Sequence, residues 1–295
     1  MITYQNGNAT ITLDTDGTRT IEYDGDLQLD MPTNIDIRVM TYCPLGLNPA
    51  TGKSFCSFCH ESARIDGEEC DYFLLRNQLG NLPGGIELAI GANIISDDLV
   101  SFITWATKVK NYVVNLTINQ GVINRFSDDL KFLVINDLIK GLGVSYRSSI
   151  PFNIPEWILE YNNTVFHVIA GIDSISDVQN LSSLGVNKIL VLGEKDFGYN
   201  IGNVDLTSQL HKEWYWYLPR LFNLFYVVSF DNLALDQLKV NRFLTDIGWN
   251  IFNQGEHSFY INAVDKYFSP SSRSSERTDW STTSIQDYFK ALNRI

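Results

Sequence analysis

The sequence predicts an α/β fold built as a full or partial β/α barrel, and three observations lead to this fold class. Short apolar, β-branched segments alternate with longer segments of helical periodicity along most of the 295 residues. Such alternation predicts parallel strands joined by right-handed crossovers. Six or seven of these units occur without a glycine-rich dinucleotide fingerprint, which favours a barrel over an open sheet.

The individual elements follow from length and periodicity. Seven segments have the length and composition of buried strands, namely 35–41, 86–90, 112–118, 142–146, 164–170, 187–192 and 225–230. Four segments with apolar residues at helical spacing predict helices at 97–108, 127–139, 174–184 and 233–247. Ser127 is the expected N-cap of the second helix, because its side chain can accept from the first turn.

Extensions are expected on both sides of the barrel, which occupies residues 35–230. Residues 1–34 contain three Asn-Gly or Asp-Gly pairs between short alternating segments, which predicts one or two β-hairpins. Residues 231–295 form a C-terminal β/α extension packed on the barrel. Its expected parts are a strand, a polar loop and a short helix, at 257–264, 269–284 and 285–293.

Composition excludes some classes of function. The formal net charge of −12 repels phosphate backbones, so broad nucleic-acid binding is not expected. No apolar segment reaches the roughly 18 residues that a membrane span needs. A signal-peptide pattern is absent from the N-terminus, and the cysteines are clustered rather than dispersed, so a cytoplasmic protein is expected.

Three of the four cysteines follow the first predicted strand. Cys43 and Cys56 are separated by twelve residues, and Cys56 and Cys59 by two. In one interpretation the three thiolates and a fourth ligand, either His60 or Cys70, hold a structural zinc ion. In the other, the three thiolates hold a 4Fe–4S cluster and leave its fourth iron open to a ligand. The spacing alone does not decide between these interpretations.

The surroundings of the cysteines bear on the choice. In β/α barrels the reactive groups lie at the carboxyl ends of the strands, where these cysteines are expected. Phe58, inside the final cysteine pair, would shield a cluster from water and contributes little to a zinc site. Cys70 is interpreted as a free thiol in the core. His60 and Glu61 are expected to cap the helix that follows.

A family resemblance starts at these cysteines. IDIRVMTYC and FCSFCHES resemble the first strand and cluster loop of radical S-adenosylmethionine (SAM) enzymes. Those enzymes usually have three residues in the first gap, whereas residues 44–55 form an insertion here, as in some 7-carboxy-7-deazaguanine synthases. Further segments are similar, in order along nearly the whole chain, to radical SAM-domain proteins of bacteriophages and prophages. They are ELAIGAN, NLTINQ, GLGVSY, HVIAGI, KILVLGEKDFG and SFDNLALDQL.

The resemblance implies a partial barrel of the (β/α)6 type and an enzyme with two cofactors. Cys43, Cys56 and Cys59 would ligate a 4Fe–4S cluster, and SAM would bind its open iron. Reductive cleavage of SAM would give a 5′-deoxyadenosyl radical that abstracts hydrogen from a small-molecule or nucleotide-like substrate. A flavodoxin- or ferredoxin-type donor would supply the electron, in the host cytoplasm if the protein is phage-encoded.

The resemblance also implies the residues that bind SAM. Gly91, Ala92 and Asn93 stand where the family has a Gly-Gly-Glu-like segment that holds the SAM amino group. Ser145 is expected to contact the ribose or carboxylate of SAM, and the planar fork of Arg147 to pair with that carboxylate. The full set of expected SAM contacts is Phe58, Gly91, Ala92, Asn93, Asn119, Ser145 and Arg147.

The later strands are expected to build the substrate end of the site. Lys195, Asp231 and Asn232 follow the sixth and seventh strands and are the candidate catalytic residues. His167 is interpreted as a satisfied core histidine, and the loop around Ser272 as a solvated tail. The competing hypothesis is a non-catalytic barrel that holds structural zinc and acts as an interaction protein.

Overall fold

The protein is an α/β fold in the computed structural model, which describes residues 1–15, 18–150, 153–243, 245 and 257–292. The strands are β1 Ile2–Asn6, β2 Ala9–Leu13, β3 Arg19–Tyr23, β4 Asn34–Arg38, β5 Tyr42–Leu47, β6 Glu87–Ala92, β7 Val113–Asn119, β8 Gly141–Ser145, β9 Thr164–Ile169, β10 Lys188–Leu192, β11 Val227–Phe230, β12 Ser258–Asn262, β13 Tyr267–Ser269 and β14 Thr278–Asp279. The α-helices are α1 Tyr72–Leu79, α2 Asp97–Thr104, α3 Gln120–Ile123, α4 Ser127–Ile135, α5 Glu156–Glu160, α6 Ile175–Ser183, α7 Gln209–Leu221, α8 Asn232–Gln237 and α9 Ile285–Leu292.

A ten-stranded sheet forms the centre of the molecule, in the order β11-β10-β9-β8-β7-β6-β4-β12-β13-β14. The strands from β11 to β12 run parallel, and β13 and β14 are antiparallel. All seven predicted strands are present within a few residues of their expected bounds. The predicted extra strand is also confirmed, and it pairs with the first strand of the parallel series rather than the last.

The two faces of the parallel sheet differ in chemistry. In β4, Ile35 and Ile37 are buried under the helices, whereas Asp36 and Arg38 point to the opposite face. The other strands repeat this alternation, which places half-buried polar and small residues on that second face. A cavity of about 630 Å³ lies against this face, and residues of six strands, β6 to β11, line it. The second face is therefore available to a ligand.

The N-terminal extension is a three-stranded antiparallel sheet, β1-β2-β3. The predicted Asn6-Gly7 turn joins β1 to β2, with Gly7 at a φ of +61°. Met1, Ile2 and Leu13 line the same cavity as the strands β6 to β11, so this sheet covers the end of the cavity at which those strands begin. The predicted turn at residues 16 and 17 lies outside the described residues.

Among the helices that were not predicted, α7 is the longest. Trp214, Leu218 and Leu221 of α7 are buried at helical spacing. Pro219 made this segment a poor candidate for a helix, because proline inside a helix removes a hydrogen bond to the residue four positions earlier. In the structure the carbonyl oxygen of that residue, Tyr215, accepts a hydrogen bond from the Arg242 guanidinium instead. The predicted strand 225–230 accordingly begins only at residue 227.

Other helix predictions need smaller corrections. The helix at Ser127 begins where expected, but the Ser127 hydroxyl accepts from the Trp157 indole N–H at 3.1 Å and does not cap the helix. The predicted helix 233–247 is α8 followed by a 3₁₀ turn, Val240–Phe243. Its remaining part lies outside the described residues, apart from residue 245. The final helix is confirmed as α9. No helix in the described ranges is long and apolar enough to cross a membrane.

Candidate functional site

The three clustered cysteines lie directly after the first parallel strand. Cys43 is in β5, which follows β4, and Cys56 and Cys59 are in the loop after β5. Burial raises the pKa of all three thiols, and that of Cys56 reaches about 11. The Arg147 charge opposes the rise at Cys56, whereas Cys59 and Cys43 add to it. The three thiols are therefore within electrostatic range of one another.

The insertion between Cys43 and Cys56 is an ordered hairpin. Asn48 and Lys53 form an antiparallel bridge, and Gly52 turns the chain at a φ of +66°. The hairpin is attached to the rest of the cysteine loop where the Leu47 N–H donates to the Ala63 carbonyl oxygen at 2.9 Å. The twelve-residue gap therefore brings Cys56 back towards Cys43.

The described residues do not form a closed site for a single metal ion. Among the described residues no group of three or more His, Cys, Asp or Glu side chains is arranged around a single ion. A tetrahedral zinc site needs its donors within roughly 4 Å of one another, because Zn–S bonds are about 2.3 Å long. In an iron–sulfur cluster each thiolate binds a different iron, so the donors of a cluster need not converge on one point.

Neither predicted fourth zinc ligand stands beside the thiols as a free donor. Cys70 packs in the hydrophobic core, where burial raises its pKa to about 12, and the core assignment is confirmed. The His60 ring lies 3.0 Å from Glu61 Oε1 and 3.2 Å from Lys195 Nζ. His60 and Glu61 do not cap a helix as expected, since α1 begins only at residue 72 and is capped by Asp71.

Arg147 connects the end of β8 to the cysteine loop. Its guanidinium lies 5.0 Å from the centre of the Phe58 ring and 3.2 Å from a carboxylate oxygen of Asp173. Gln120 fixes the Arg147 backbone, accepting from its N–H and donating to its carbonyl oxygen. Burial raises the pKa of Asp173 to about 6 and Arg147 opposes that shift. In this structure Arg147 thus has a protein carboxylate as its partner, and its pairing with a SAM carboxylate stays a prediction.

Three polar residues form a row across the second face of the sheet. Asn119 pairs in register with Ser145, and Ser145 with His167, on strands about 4.8 Å apart. The Asn119 side chain accepts from the Gly121 N–H at 2.7 Å and caps α3. Within the described part of the chain, the Ser145 hydroxyl and the His167 ring have no hydrogen-bond partner. They are accordingly the members of the row with free hydrogen-bonding capacity.

The interpretation of His167 as a satisfied core residue is wrong. Its ring lines the 630 Å³ cavity, where Gly143 leaves room for it on the neighbouring strand. Burial lowers the pKa of His167 to about 4, and the Arg147 charge adds to this effect. A neutral imidazole, with one donor and one acceptor, therefore faces the cavity at neutral pH.

The segment expected to hold the SAM amino group has one open position. Gly91 is exposed on the second face, and a Cβ atom built on it would meet no atom within 4 Å. Ala92 is buried on the helix side. The Asn93 side chain donates to the Tyr42 carbonyl oxygen at 3.0 Å and so holds β5 in place. Gly91 offers space for a ligand, and Asn93 supports the strand that carries Cys43.

Lys195 is the centre of a charged network beside the cysteines. Its ammonium lies 3.2 Å from His60 Nε2 and 3.2 Å from the Ser272 hydroxyl. Glu61 is 2.9 Å from the Arg38 guanidinium. Burial disfavours ionised Glu61, but His60, followed by Arg38 and Lys195, outweighs it and lowers the Glu61 pKa to about 2. The loop around Ser272, expected as a solvated tail, is instead half-buried against this network.

Asp36 completes the network on the second face. Its side chain is exposed to solvent, yet surrounding protein raises its pKa, with Lys195 opposing. This combination is expected of a group that lines a concave cavity. Asp36, Arg38, Glu61 and Ser272 were not predicted as site residues. Alternation in β4 was an available signal, because charged residues between buried isoleucines must face away from the helices.

The two remaining catalytic candidates occupy helix-start positions. The Asp231 carboxylate accepts from the Ala234 N–H at 2.7 Å and from the Gly193 N–H at 2.9 Å. It is thus the N-cap of α8, and Asn232 is the first residue of that helix. The structure gives Asp231 the role of fixing the loop before Lys195, and a catalytic role for it stays a prediction.

Comparison with known proteins adds no assignment. No family model matches this sequence, and no curated protein is similar to it at a significant level. The chemistry of the residues described above therefore carries the functional conclusion.

Proposed function

We propose that this chain is a radical SAM enzyme that binds a 4Fe–4S cluster through Cys43, Cys56 and Cys59. The observation that carries the proposal is the position of three cysteines directly after the first parallel strand, next to a face with free polar groups. Bound cluster and SAM would supply a 5′-deoxyadenosyl radical, and a flavodoxin- or ferredoxin-type donor the electron. The reaction is hydrogen abstraction from a small-molecule or nucleotide-like substrate.

A partial (β/α)6-type barrel is the architecture we propose for it. The strands from β4 to β11 of the central sheet are neighbours in the order in which they occur along the chain. A cavity touched by six of them supports a sheet that curves around it. The site would then lie inside the curve, at the carboxyl ends of the strands.

The chain's own residues would position and shield the cofactors. Gly91 leaves space beside the end of β6, and the Ser145 hydroxyl is free to bind the ribose or carboxylate of SAM. Phe58, held under Arg147, would keep water away from the cluster. Asn93 and Gln120 would act indirectly, through the strand and loop backbones that they hold.

Iron and sulfide content tests the ligand assignment. Protein purified without oxygen should be brown and contain about four iron and four sulfide per chain. Cys56→Ala should lose both, whereas Cys70→Ala should keep both, because Cys70 is a core residue apart from the cluster loop. A colourless wild-type protein with one zinc ion would support the structural-zinc alternative instead.

Product analysis tests the reaction. With dithionite and SAM, the loaded protein should form 5′-deoxyadenosine and methionine, and Cys56→Ala should form neither. Gly91→Leu fills the open space at the end of β6, so it should reduce SAM binding and product while iron content stays at the wild-type level. Unchanged SAM binding in Gly91→Leu would show that SAM lies elsewhere.

A further inference from the structure

Lys195 carries a charge that no carboxylate neutralises at contact distance. Its ammonium contacts an imidazole nitrogen and a hydroxyl, and no carboxylate in the described part of the chain lies within 4 Å of it. The side chain is half-buried, so water replaces the missing partner only in part. A partly desolvated cation without a carboxylate at contact distance retains affinity for an anion.

The neighbouring carboxylates are directed elsewhere. Glu61 is paired with Arg38 at 2.9 Å and with His60 at 3.0 Å. The His60 ring lies between the two charges, with Nε2 3.0 Å from Glu61 Oε1 and 3.2 Å from Lys195 Nζ. Asp36 acts on Lys195 only from beyond ion-pair distance. The ammonium therefore has one unused direction for an additional ligand among its three donors.

The loop that carries Lys195 is fixed in advance. Asp231 accepts from the Gly193 N–H, and the Gln237 amide both accepts from the Glu194 N–H and donates to the Glu194 carbonyl oxygen. The Asn200 side chain donates to the Lys195 carbonyl oxygen at 3.0 Å. Hydrogen bonds on both sides of the lysine lower the entropy cost of using it in binding.

The C-terminal extension completes the arrangement. Ser272 lies in a turn in which the Ser269 hydroxyl donates to the Ser271 carbonyl oxygen at 2.9 Å. Arg273, the next residue, is half-buried and has no ion-pair partner in the described ranges. The turn therefore brings a hydroxyl and a second unpaired cation to the side of the network opposite the cysteine loop.

We propose that Lys195, together with Ser272 and His60, binds an anionic oxygen group, a carboxylate or phosphate, of the small molecule that this protein acts on. The identity of the ligand as substrate rests on the proposed function; the anion site itself rests on the contacts of Lys195. The ammonium supplies the charge, the Ser272 hydroxyl a second donor, and the His60 ring holds the ammonium in place.

Inorganic phosphate is the probe for this site. The chain has four histidines, so His60→Asn identifies the ring signal of His60 in an NMR spectrum. At constant ionic strength, added phosphate should shift the His60 signal in a saturable manner. Lys195→Met should weaken that binding at least tenfold, and Lys212→Met, at an exposed lysine of α7, should leave it unchanged. No saturable shift, or an equal shift in Lys195→Met, overturns the proposal.

Two further variants and one control complete the experiment. Ser272→Ala should weaken phosphate binding several-fold, because a donor to the anion is lost. Asp36→Asn should tighten it, because a negative charge near Lys195 is removed. An acetate titration shows whether a carboxylate is bound as well as phosphate. Iron content and 5′-deoxyadenosine, measured on the same preparations, report on the radical SAM proposal separately. Phosphate binding without iron or 5′-deoxyadenosine would overturn the radical SAM proposal and leave the anion site standing. Iron and 5′-deoxyadenosine without phosphate binding would overturn the anion site alone.

Discussion

The backbone N–H of Tyr199 donates a 3.0 Å hydrogen bond to the carbonyl oxygen of Cys59, joining the loop after β10 to the cysteine loop. Gly198 makes this approach possible, since a Cβ atom at that position would lie 2.6 Å from the same oxygen and 2.5 Å from the His60 carbonyl oxygen. Its φ of +61° also favours glycine. The cysteines and Lys195 are thus held together by backbone contact.

Gly198→Ala should therefore disturb the site, and Gly202→Ala provides the matched control. Both glycines have positive φ, but a Cβ atom at Gly202 meets nothing within 4 Å. The control should cost about 1 kcal/mol of unfolding free energy from backbone strain. Gly198→Ala should cost clearly more in denaturant unfolding and lower the iron content. Equal effects of the two substitutions on unfolding free energy and iron content would show that the contact between the loop after β10 and the cysteine loop is not required.

Asp231 should behave as a cap and not as a catalyst. Asparagine accepts the same backbone hydrogen bonds at an N-cap, so Asp231→Asn should retain nearly full stability and product formation. Asp231→Ala should lose about 1–2 kcal/mol in unfolding free energy and make the segment 193–200 more sensitive to protease. Loss of product in a fully stable Asp231→Asn protein would restore the catalytic assignment.

His167 should make the fold sensitive to acid. Its pKa is about 4 in the folded protein against 6.5 ordinarily, so between these values the unfolded chain binds a proton that the folded chain does not. The contribution of His167 to the free energy of unfolding is therefore fully present above pH 6.5 and is lost as the pH falls towards 4. Between pH 7 and pH 5 the wild type should lose about 1–2 kcal/mol more than His167→Gln. An equal loss of unfolding free energy in the two proteins between pH 7 and pH 5, measured by urea unfolding, would contradict this.

The pair Arg147 and Asp173 should show strong coupling. Arg147→Met leaves a buried carboxylate without its partner and should cost about 3 kcal/mol. Asp173→Asn in the same chain should recover part of that loss, giving a coupling energy of about 1–3 kcal/mol in a double-mutant cycle. The exposed pair Arg64 and Asp66, 2.8 Å apart, is the control and should show no measurable coupling. Equal coupling in both pairs would contradict a buried, structural role for Arg147.

The local sequence pattern predicted the parallel strands well, because each of them is a short apolar segment with its own boundaries. It failed at α7, where the helix tolerates Pro219 because a side chain 27 residues away bonds the Tyr215 carbonyl oxygen. It also gave no information on which strand β12 would join. Both failures concern contacts that bring together distant parts of the chain.

The site was predicted in the same uneven way. Spacing singled out the cysteines, which lie close together along the chain. Lys195 was singled out as well, but its partners His60 and Ser272 are 135 and 77 residues away, beyond the reach of a local pattern. The capping role of Asp231 was not predicted, because an aspartate at a strand end and an aspartate at a helix start occupy the same position in a β/α unit. Only its two backbone partners distinguish the roles.

The pairing of β12 with β4 has a consequence for biosynthesis. Asn34 pairs with Ser258 and Arg38 with Asn262, although more than 200 residues separate them along the chain. During translation, the strand that leads into the cysteine loop therefore has an open edge until β12 has left the ribosome. An open edge of a parallel sheet pairs readily with other chains. The growing polypeptide thus depends on β12 to protect β4, and a nascent chain released before residue 258 would be prone to aggregation.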